Sequence, residues 1–401
     1  MNPRPRDAFV DEIRGLALLG IVLVNVPFFA LSGSGYTLAS VATIGDQVAA
    51  FLTVAFAQAK FYLLFSFLFG YSLSYLLRDD AIGGAAVGRD AIKSDTDESE
   101  RAAARRRRFK RRLWVLGAVG ALHAVFAFVG DILLLYALLG VSMLWLVRWR
   151  DRSLLWFGTV VGVVWLLLLL ALGLSLEPLA AQEGAYADTS LDASFDLALA
   201  TGGFVEASQA RWQAWPQAFG FIALLNGPAV WAMFAFGAVA GRRNLLAQPE
   251  RYRRFWRQSA LIGWGLGLPL ALGSAYLAVG SSGVPLDSVP AMQGVLIGFA
   301  GAAPLSLAYV ATLALIRIQR PRAWAWAAAP GRMSLSGYIG ESLLLSWIFC
   351  GYGAGLFGHV GAAAAAAIAV SVWLALDVFS RLWLSRFAQG PLEAAMCWII
   401  R

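Results

Sequence analysis

Arg105-Arg106-Arg107-Arg108-Phe109-Lys110-Arg111-Arg112 runs straight into the apolar stretch 113–129, and the rest of the architecture follows from that junction. Cations placed immediately before a long apolar run mark the cytoplasmic end of a membrane span, because short cytoplasmic loops keep Lys and Arg while translocated loops lose them. The remaining basic residues obey the same rule. Of 32 Lys and Arg, all but Lys60 and Arg211 fall at the N-terminus, at the C-terminus or in every second gap between apolar runs. These cation-rich gaps are residues 78–112, the Arg148/Arg150/Arg152 turn, residues 242–257 and residues 317–332. The gap 177–215 is the opposite, with Glu177, Glu183, Asp188, Asp192, Asp196 and Glu206 against Arg211 alone.

Composition points the same way. With 59% hydrophobic and 14% charged residues and a mean hydropathy of +0.67, the 401 residues exceed what a water-soluble core can hide. A hydrocarbon layer of about 30 Å needs roughly 20 apolar residues per helical crossing. That yardstick selects ten segments: residues 13–31, 57–77, 113–129, 132–147, 154–176, 216–241, 260–279, 291–316, 335–350 and 362–384. The expected fold is an all-α polytopic membrane protein of about ten transmembrane helices with both termini cytoplasmic, forming one membrane-embedded domain over residues 1–401. Residues 79–112 form a basic cytoplasmic loop. Its stretch 79–104 has almost no bulky apolar residue, so disorder is expected there. Residues 177–215 form an acidic outer loop whose Phe195, Phe204, Trp212 and Trp215 suit a partly helical interfacial cap.

The formal net charge of +8 does not imply nucleic acid, because the cations flank spans, where anionic headgroups attract each by about 1 kcal/mol. Asp11, Glu12, Arg14 and Asn25 interrupt the first apolar run, so it reads as a retained span and not as a cleaved signal. Cys350 belongs near the outer face and Cys397 inside, which leaves no disulfide framework, and two histidines supply no metal cluster. The expected localisation is a bacterial-type inner membrane. Lipid surrounds the chain there, and a homodimer is compatible with it.

An ionisable group in hydrocarbon costs about 2.5–3.5 kcal/mol on insertion scales, so each one pairs within the bundle or lines a wet cavity. His123, ten residues into the third span, is read near the midplane, as a helix-to-helix hydrogen bond or as a proton-handling base. Asp131 follows Gly130 at the outer turn and either caps the next helix or orients a site. Asn25 either satisfies the carbonyl that Pro27 frees or faces a ligand. Lys60, placed at the outer end of the second span, either snorkels to the interface or contacts a ligand. Glu341 sits mid-span without a neighbouring cation and needs a partner from another helix. Asp377 has Arg381 at i+4, and Asp11 has Arg14 at i+3, both ion-pair spacings.

Several stretches in order resemble the YeiB-like membrane protein family: Val10-Asp11-Glu12-Ile13-Arg14-Gly15 through Asn25, Lys60-Phe61 with 64–70, Leu122-His123 with Gly130-Asp131-Ile132, Gly331-Arg332-Met333-Ser334, and Gly390-Pro391-Leu392-Glu393. Ser336-Gly337-Tyr338 and Glu341 stand where that family carries Thr-Asn-Tyr and a Gln. The first span is distantly similar to that of the heparan-glucosaminide acetyltransferase group of transmembrane acyltransferases, whose catalytic histidine follows the first-span motif; here His123 would replace it from another span. The resemblance implies an acyltransferase that moves an acyl group from cytoplasmic acyl-CoA or acetyl-CoA, with no metal, to a small-molecule, glycan or lipid-linked acceptor. His123, Asp131, Asn25 and Glu341 are the candidate catalytic residues, and Asp11, Arg14, Lys60, Arg332 and Glu393 the candidate substrate-binding ones. A transporter or lipid flippase using His123, Asp131 and Glu341 as a polar pathway is the alternative, and a non-catalytic scaffold a third reading.

Overall fold

The computed structural model describes residues 7–31, 39–77, 91–183, 193–280 and 288–400. Among them no strand occurs. In chain order the helices are α1 (Ala8–Ala30), α2 (Ile44–Phe56), α3 (Lys60–Leu77), α4 (Ala91–Phe126), α5 (Leu133–Leu146), α6 (Asp151–Glu183), α7 (Ala193–Thr201), α8 (Phe204–Arg242), α9 (Arg253–Ala275), α10 (Val289–Gln319), α11 (Ala328–Arg332), α12 (Ser334–Phe349), α13 (Ala362–Leu384) and α14 (Pro391–Ile400). All ten apolar segments fall on helices. Among the described residues seven helical runs are long and apolar enough to cross a membrane, so the chain has the build of a polytopic membrane protein. The short α5 and α12 and the charge-led α4 lie outside that count.

Apolar side chains turned outward show where lipid sits: on α6, Leu167, Leu168, Leu170 and Leu174 are all more than half exposed. Inside the bundle α1 and α3 are central. Asp7 starts α1 by accepting the Phe9 N–H at 3.2 Å, filling one of the donors that a helix start leaves open. One side of α1 packs on α11, α12 and α13, and another on α3, which in turn packs on α8 and α10. The crossing of α1 and α11 is made backbone to backbone. A Cβ on Gly15 would lie 1.9 Å from the Ala327 carbonyl oxygen, and one on Gly331 would lie 1.7 Å from that of Asp11. Only glycine permits that approach.

The segment expected as one span over 57–77 is instead the inner part of a broken one. Asp46 closes a capping box with Thr43 at the start of α2 and also accepts the Ala363 N–H at 2.9 Å, joining the starts of α2 and α13. The helix breaks at 57–59, where Ala59 has φ 66°, and three side chains take up the freed carbonyls. Lys60 Nζ donates to Val54 O at 3.0 Å, the Tyr309 hydroxyl to Phe56 O at 2.8 Å and the Ser306 hydroxyl to Lys60 O at 2.7 Å. Phe61 packs where Gly20, in the middle of α1, leaves room. Lys60 therefore lies at mid-depth with 0% exposure, and the expectation of a lysine snorkelling at an outer helix end is corrected.

One loop expectation also changes. Residues 79–90 lie outside the described residues, but from Ala91 onward the stretch expected to be disordered belongs to one 36-residue helix. Its Ala, Glu and Arg content favours helix even without burial. The acidic outer stretch is helical over the end of α6, α7 and the start of α8. Phe204 there stacks on Phe126 at 6.0 Å between ring centroids, covering the end of α4.

Candidate functional site

The last turn of α4 carries the site. Both the Ala127 and Phe128 N–H groups donate to the His123 carbonyl, at 2.9 and 2.8 Å, which ends the helix and turns the chain toward α5. The turn brings Asp131 back onto His123. Nδ1 of the imidazole and Oδ2 of Asp131 are 2.8 Å apart, with side-chain exposures of 1% and 0%. The other carboxylate oxygen accepts the Leu134 N–H at 3.1 Å. Asp131 thus caps α5 and orients a histidine at once, so both readings of that residue hold together.

A carboxylate at Nδ1 fixes the tautomer: Nδ1–H donates to Asp131, and Nε2 keeps its lone pair. That Nε2 is buried and has no hydrogen-bond partner among the described residues. Around it, the Tyr338 ring lies 5.0 Å from the imidazole and the Phe128 ring 6.3 Å, edge-on. The Tyr338 hydroxyl meets the Ile132 backbone and lies within electrostatic reach of Asp131 and Glu341. Glu341, one turn further along α12, is 2% exposed, and neither of its carboxylate oxygens has a partner among the described residues. Gly337, beside Tyr338, packs on Leu18, while Phe128 stacks on Phe29 at 4.9 Å. The dyad therefore lies between the middle and the outer end of α1.

Asn25 is half-buried on α1 and shares a helix face with Phe29, so it is directed toward the end of α4. It makes no hydrogen bond among the described residues, and in particular none to the carbonyl that Pro27 frees. A neighbouring layer of hydroxyls was not anticipated. Tyr136 donates to the Tyr62 carbonyl at 2.6 Å and meets the Ser66 hydroxyl at 2.7 Å.

Of the expected substrate-binding residues, Asp11, Arg14, Arg332 and Glu393 gather at the other end of α1, and Lys60 does not. Arg14 is 3.3 Å from Asp11 and donates to the Ser72 hydroxyl at 2.6 Å. Glu12 pairs with Arg317, whose guanidinium also covers the Phe9 ring at 4.9 Å. Burial pushes the Asp7 carboxyl above its usual value, against the opposing hydrogen bonds from Phe9 and Tyr71. Glu393 is engaged by α12: it accepts Leu335 N–H at 2.9 Å, Ser336 N–H at 3.2 Å and the Ser336 hydroxyl at 2.5 Å. Arg332 donates to Ala388 O at 3.1 Å, while its Nε is buried without a partner among the described residues. Lys60 is held at the helix break described above, and Asp377 pairs with Arg381 at 2.8 Å.

Arg211 is the residue that sequence reasoning passed over. It is 2% exposed and donates to the Ser346 hydroxyl at 2.9 Å, Cys350 Sγ at 3.2 Å and Phe126 O at 3.4 Å. A cation at the carbonyl end of α4 complements the helix dipole directly above the dyad. Its being the lone cation of an acidic outer stretch was the available signal.

Comparison with known proteins places the chain. It is 29% identical to the uncharacterized protein YxaH of Bacillus subtilis (strain 168), over 97% of this chain and 92% of that one. It is also 29% identical to the uncharacterized protein YeiB of Escherichia coli (strain K12), over 97% of this chain and 94% of that one. The chain is thus similar to YeiB-like proteins over nearly its whole length. Residues 240–401 match the family described as protein of unknown function (DUF418), and no solved structure matches. The dyad lies outside that matched region, whereas Tyr338, Glu341 and the Glu393 cap lie within it. The chain therefore builds its candidate site from both halves.

Proposed function

We propose that the protein is an integral inner-membrane acyltransferase that uses cytoplasmic acyl-CoA and a small-molecule, glycan or lipid-linked acceptor, with His123 as general base. The observation that carries this reading is the buried Nδ1–Asp131 hydrogen bond opposite a partnerless Nε2. A histidine kept only for structure uses both nitrogens, or leaves the second one dry against apolar atoms. Here the ring beside the imidazole is that of Tyr338, whose hydroxyl lies within electrostatic reach of another partnerless polar side chain, Glu341. Nε2 takes the acceptor's proton as the acceptor attacks the thioester carbonyl, Asp131 stabilises the imidazolium that forms, and the C–S bond then breaks with its electron pair on sulfur, the thiolate taking the proton back from the imidazolium. Arg14 at the inner mouth suits the phosphates of CoA.

A transporter or flippase with His123, Asp131 and Glu341 as its polar pathway draws on the same buried side chains, and it predicts substrate passage without thioester consumption. The test uses the full chain in lipid nanodiscs with acetyl-labelled acetyl-CoA and an envelope extract. Thiol release with label transfer, lost by a factor of about 10² or more in His123→Gln while folding is kept, is expected for a general base. Release unaffected by His123→Gln refutes the base, and substrate passage without thiol release favours transport.

A further inference from the structure

The exposed side of α14 lacks the polar groups that a helix facing water carries. Ala394, Ala395, Cys397, Trp398 and Ile399 all face outward, with Trp398 78% and Ile399 54% exposed. Residues 394 and 398, and 395 and 399, are i,i+4 pairs, so they share one apolar face. The helix's one charged residue, Glu393, is turned the other way, onto the start of α12. A helix apolar on its outer face, with its carboxylate consumed on the inner one, belongs between protein and hydrocarbon.

Its depth follows from what the inner face touches. Met396 and Leu335 pack on the cluster that includes Phe109 and Leu113, where the cationic run 105–112 meets the apolar stretch. Trp114, one residue further, is 81% exposed, as suits an indole at the boundary between headgroups and acyl chains. Around that level Arg107, Arg108, Lys110, Arg111 and Arg386 are exposed.

We propose that the outer face of α14 is seated in anionic lipid at this end of the bundle, and that the contact holds the start of α12 in place through Glu393. Charge complementarity selects the occupant. Headgroup phosphates attract the exposed cations, while the acyl boundary takes Trp398 and Ile399. A second copy seated on the same face would set two cationic surfaces against each other, and like charges repel. The link to α12 is reciprocal. Glu393 accepts the Leu335 and Ser336 N–H groups, and the Ser336 hydroxyl, which donates to Glu393, accepts the Leu392 N–H at 3.0 Å. Two residues on, the Tyr338 ring meets the imidazole at 5.0 Å. Lipid at α14 therefore bears on the first turn of the helix that lines the dyad, whatever chemistry His123 performs.

The experiment uses the full chain in nanodiscs of phosphatidylcholine alone, or of equal parts phosphatidylcholine and phosphatidylglycerol. A spin label is attached at Cys397, the exposed thiol, Cys350 being buried. In the mixed discs the label is expected to collide with lipid-dissolved oxygen about threefold or more as often as with a water-soluble nickel chelate. Hydrogen exchange at the Leu335 and Ser336 amides is expected to be slower in the mixed discs than in phosphatidylcholine alone, by about tenfold or more. Trp398→Glu, at a side chain that packs on little of the protein, places a carboxylate in the anionic layer and is expected to remove that slowing. The wild-type comparison between the two lipids stands without the variant. A label open to nickel, or a label shielded from both reagents as a second copy or another protein would leave it, overturns the proposal. So does exchange that ignores lipid charge, or a lipid-charge effect that Trp398→Glu leaves intact.

Discussion

Asp131→Asn isolates what the carboxylate does for His123, because the amide oxygen can still accept the Leu134 N–H now held at 3.1 Å by Oδ1. What changes is the group facing Nδ1 at 2.8 Å. An amide NH₂ there donates, so Nδ1 must accept and the proton moves to Nε2, which no longer acts as a base. The stability cost is small because one buried hydrogen bond replaces another; only the charge-assisted part is lost, about 1 kcal/mol. Asp131→Ala removes both interactions. The α5 cap is worth about 1 kcal/mol, and the buried charge-assisted bond about 1.5–3 kcal/mol. Their sum, about 2.5–4 kcal/mol, is expected as a lower unfolding midpoint followed by tryptophan fluorescence in urea. Acetyl transfer is expected to fall by about 10²–10⁴ in Asp131→Asn, the worth of a positioned general base, with a near-wild-type midpoint. Wild-type transfer by a folded Asp131→Asn protein refutes the tautomer argument.

Four further outcomes follow from the packing and the caps. Gly331→Ala places a Cβ 1.7 Å from the Asp11 carbonyl oxygen, so α1 and α11 must separate, and a loss of at least about 1–3 kcal/mol is expected in the same urea titration. Glu393→Ala leaves the first N–H groups of α12 without their acceptor; about 0.5–2 kcal/mol of stability is lost, while hydrogen exchange rises at Leu335 and Ser336. Arg211→Met strips a buried cation from Phe126 O and Ser346; about 1.5–3 kcal/mol is lost, seen as easier proteolysis at the outer end of α4. Asp7→Asn tests the carboxyl that burial raises. Its folded value lies above the usual 3.8, so its stabilising contribution is full below pH 3.8 and fades as pH rises through the folded value. The wild type is therefore expected to lose stability between pH 3.8 and the folded value, and Asp7→Asn to show a flatter profile there.

Helix positions and class were legible because hydropathy and cation placement report the bilayer directly, as at the Arg105–Arg108 junction. The broken second segment was not. Gly45, Asp46, Gln47 and Gln58 lower local hydropathy around α2, so Lys60 read as a span end although its ammonium is held inside by Val54 O. The dyad was half legible. His123 and Asp131 were each picked out, but only the end of α4 at Phe126 folds residue 131 back onto the ring. Glu393 shows the opposite limit. Its partners on α12 lie 57 and 58 residues away in sequence, a separation across which no local pattern tells a cap from a binding residue. Tyr338 and Arg211 act through neighbours on other helices, which spacing within one segment cannot reveal.

The most direct test of the account is thiol release from acetyl-CoA by the purified full chain in nanodiscs, supplied with envelope extract and compared with His123→Gln. Turnover by the wild type that drops at least about a hundredfold in the variant is the predicted result. Turnover equal in both proteins, or none in the wild type with any acceptor fraction, contradicts it.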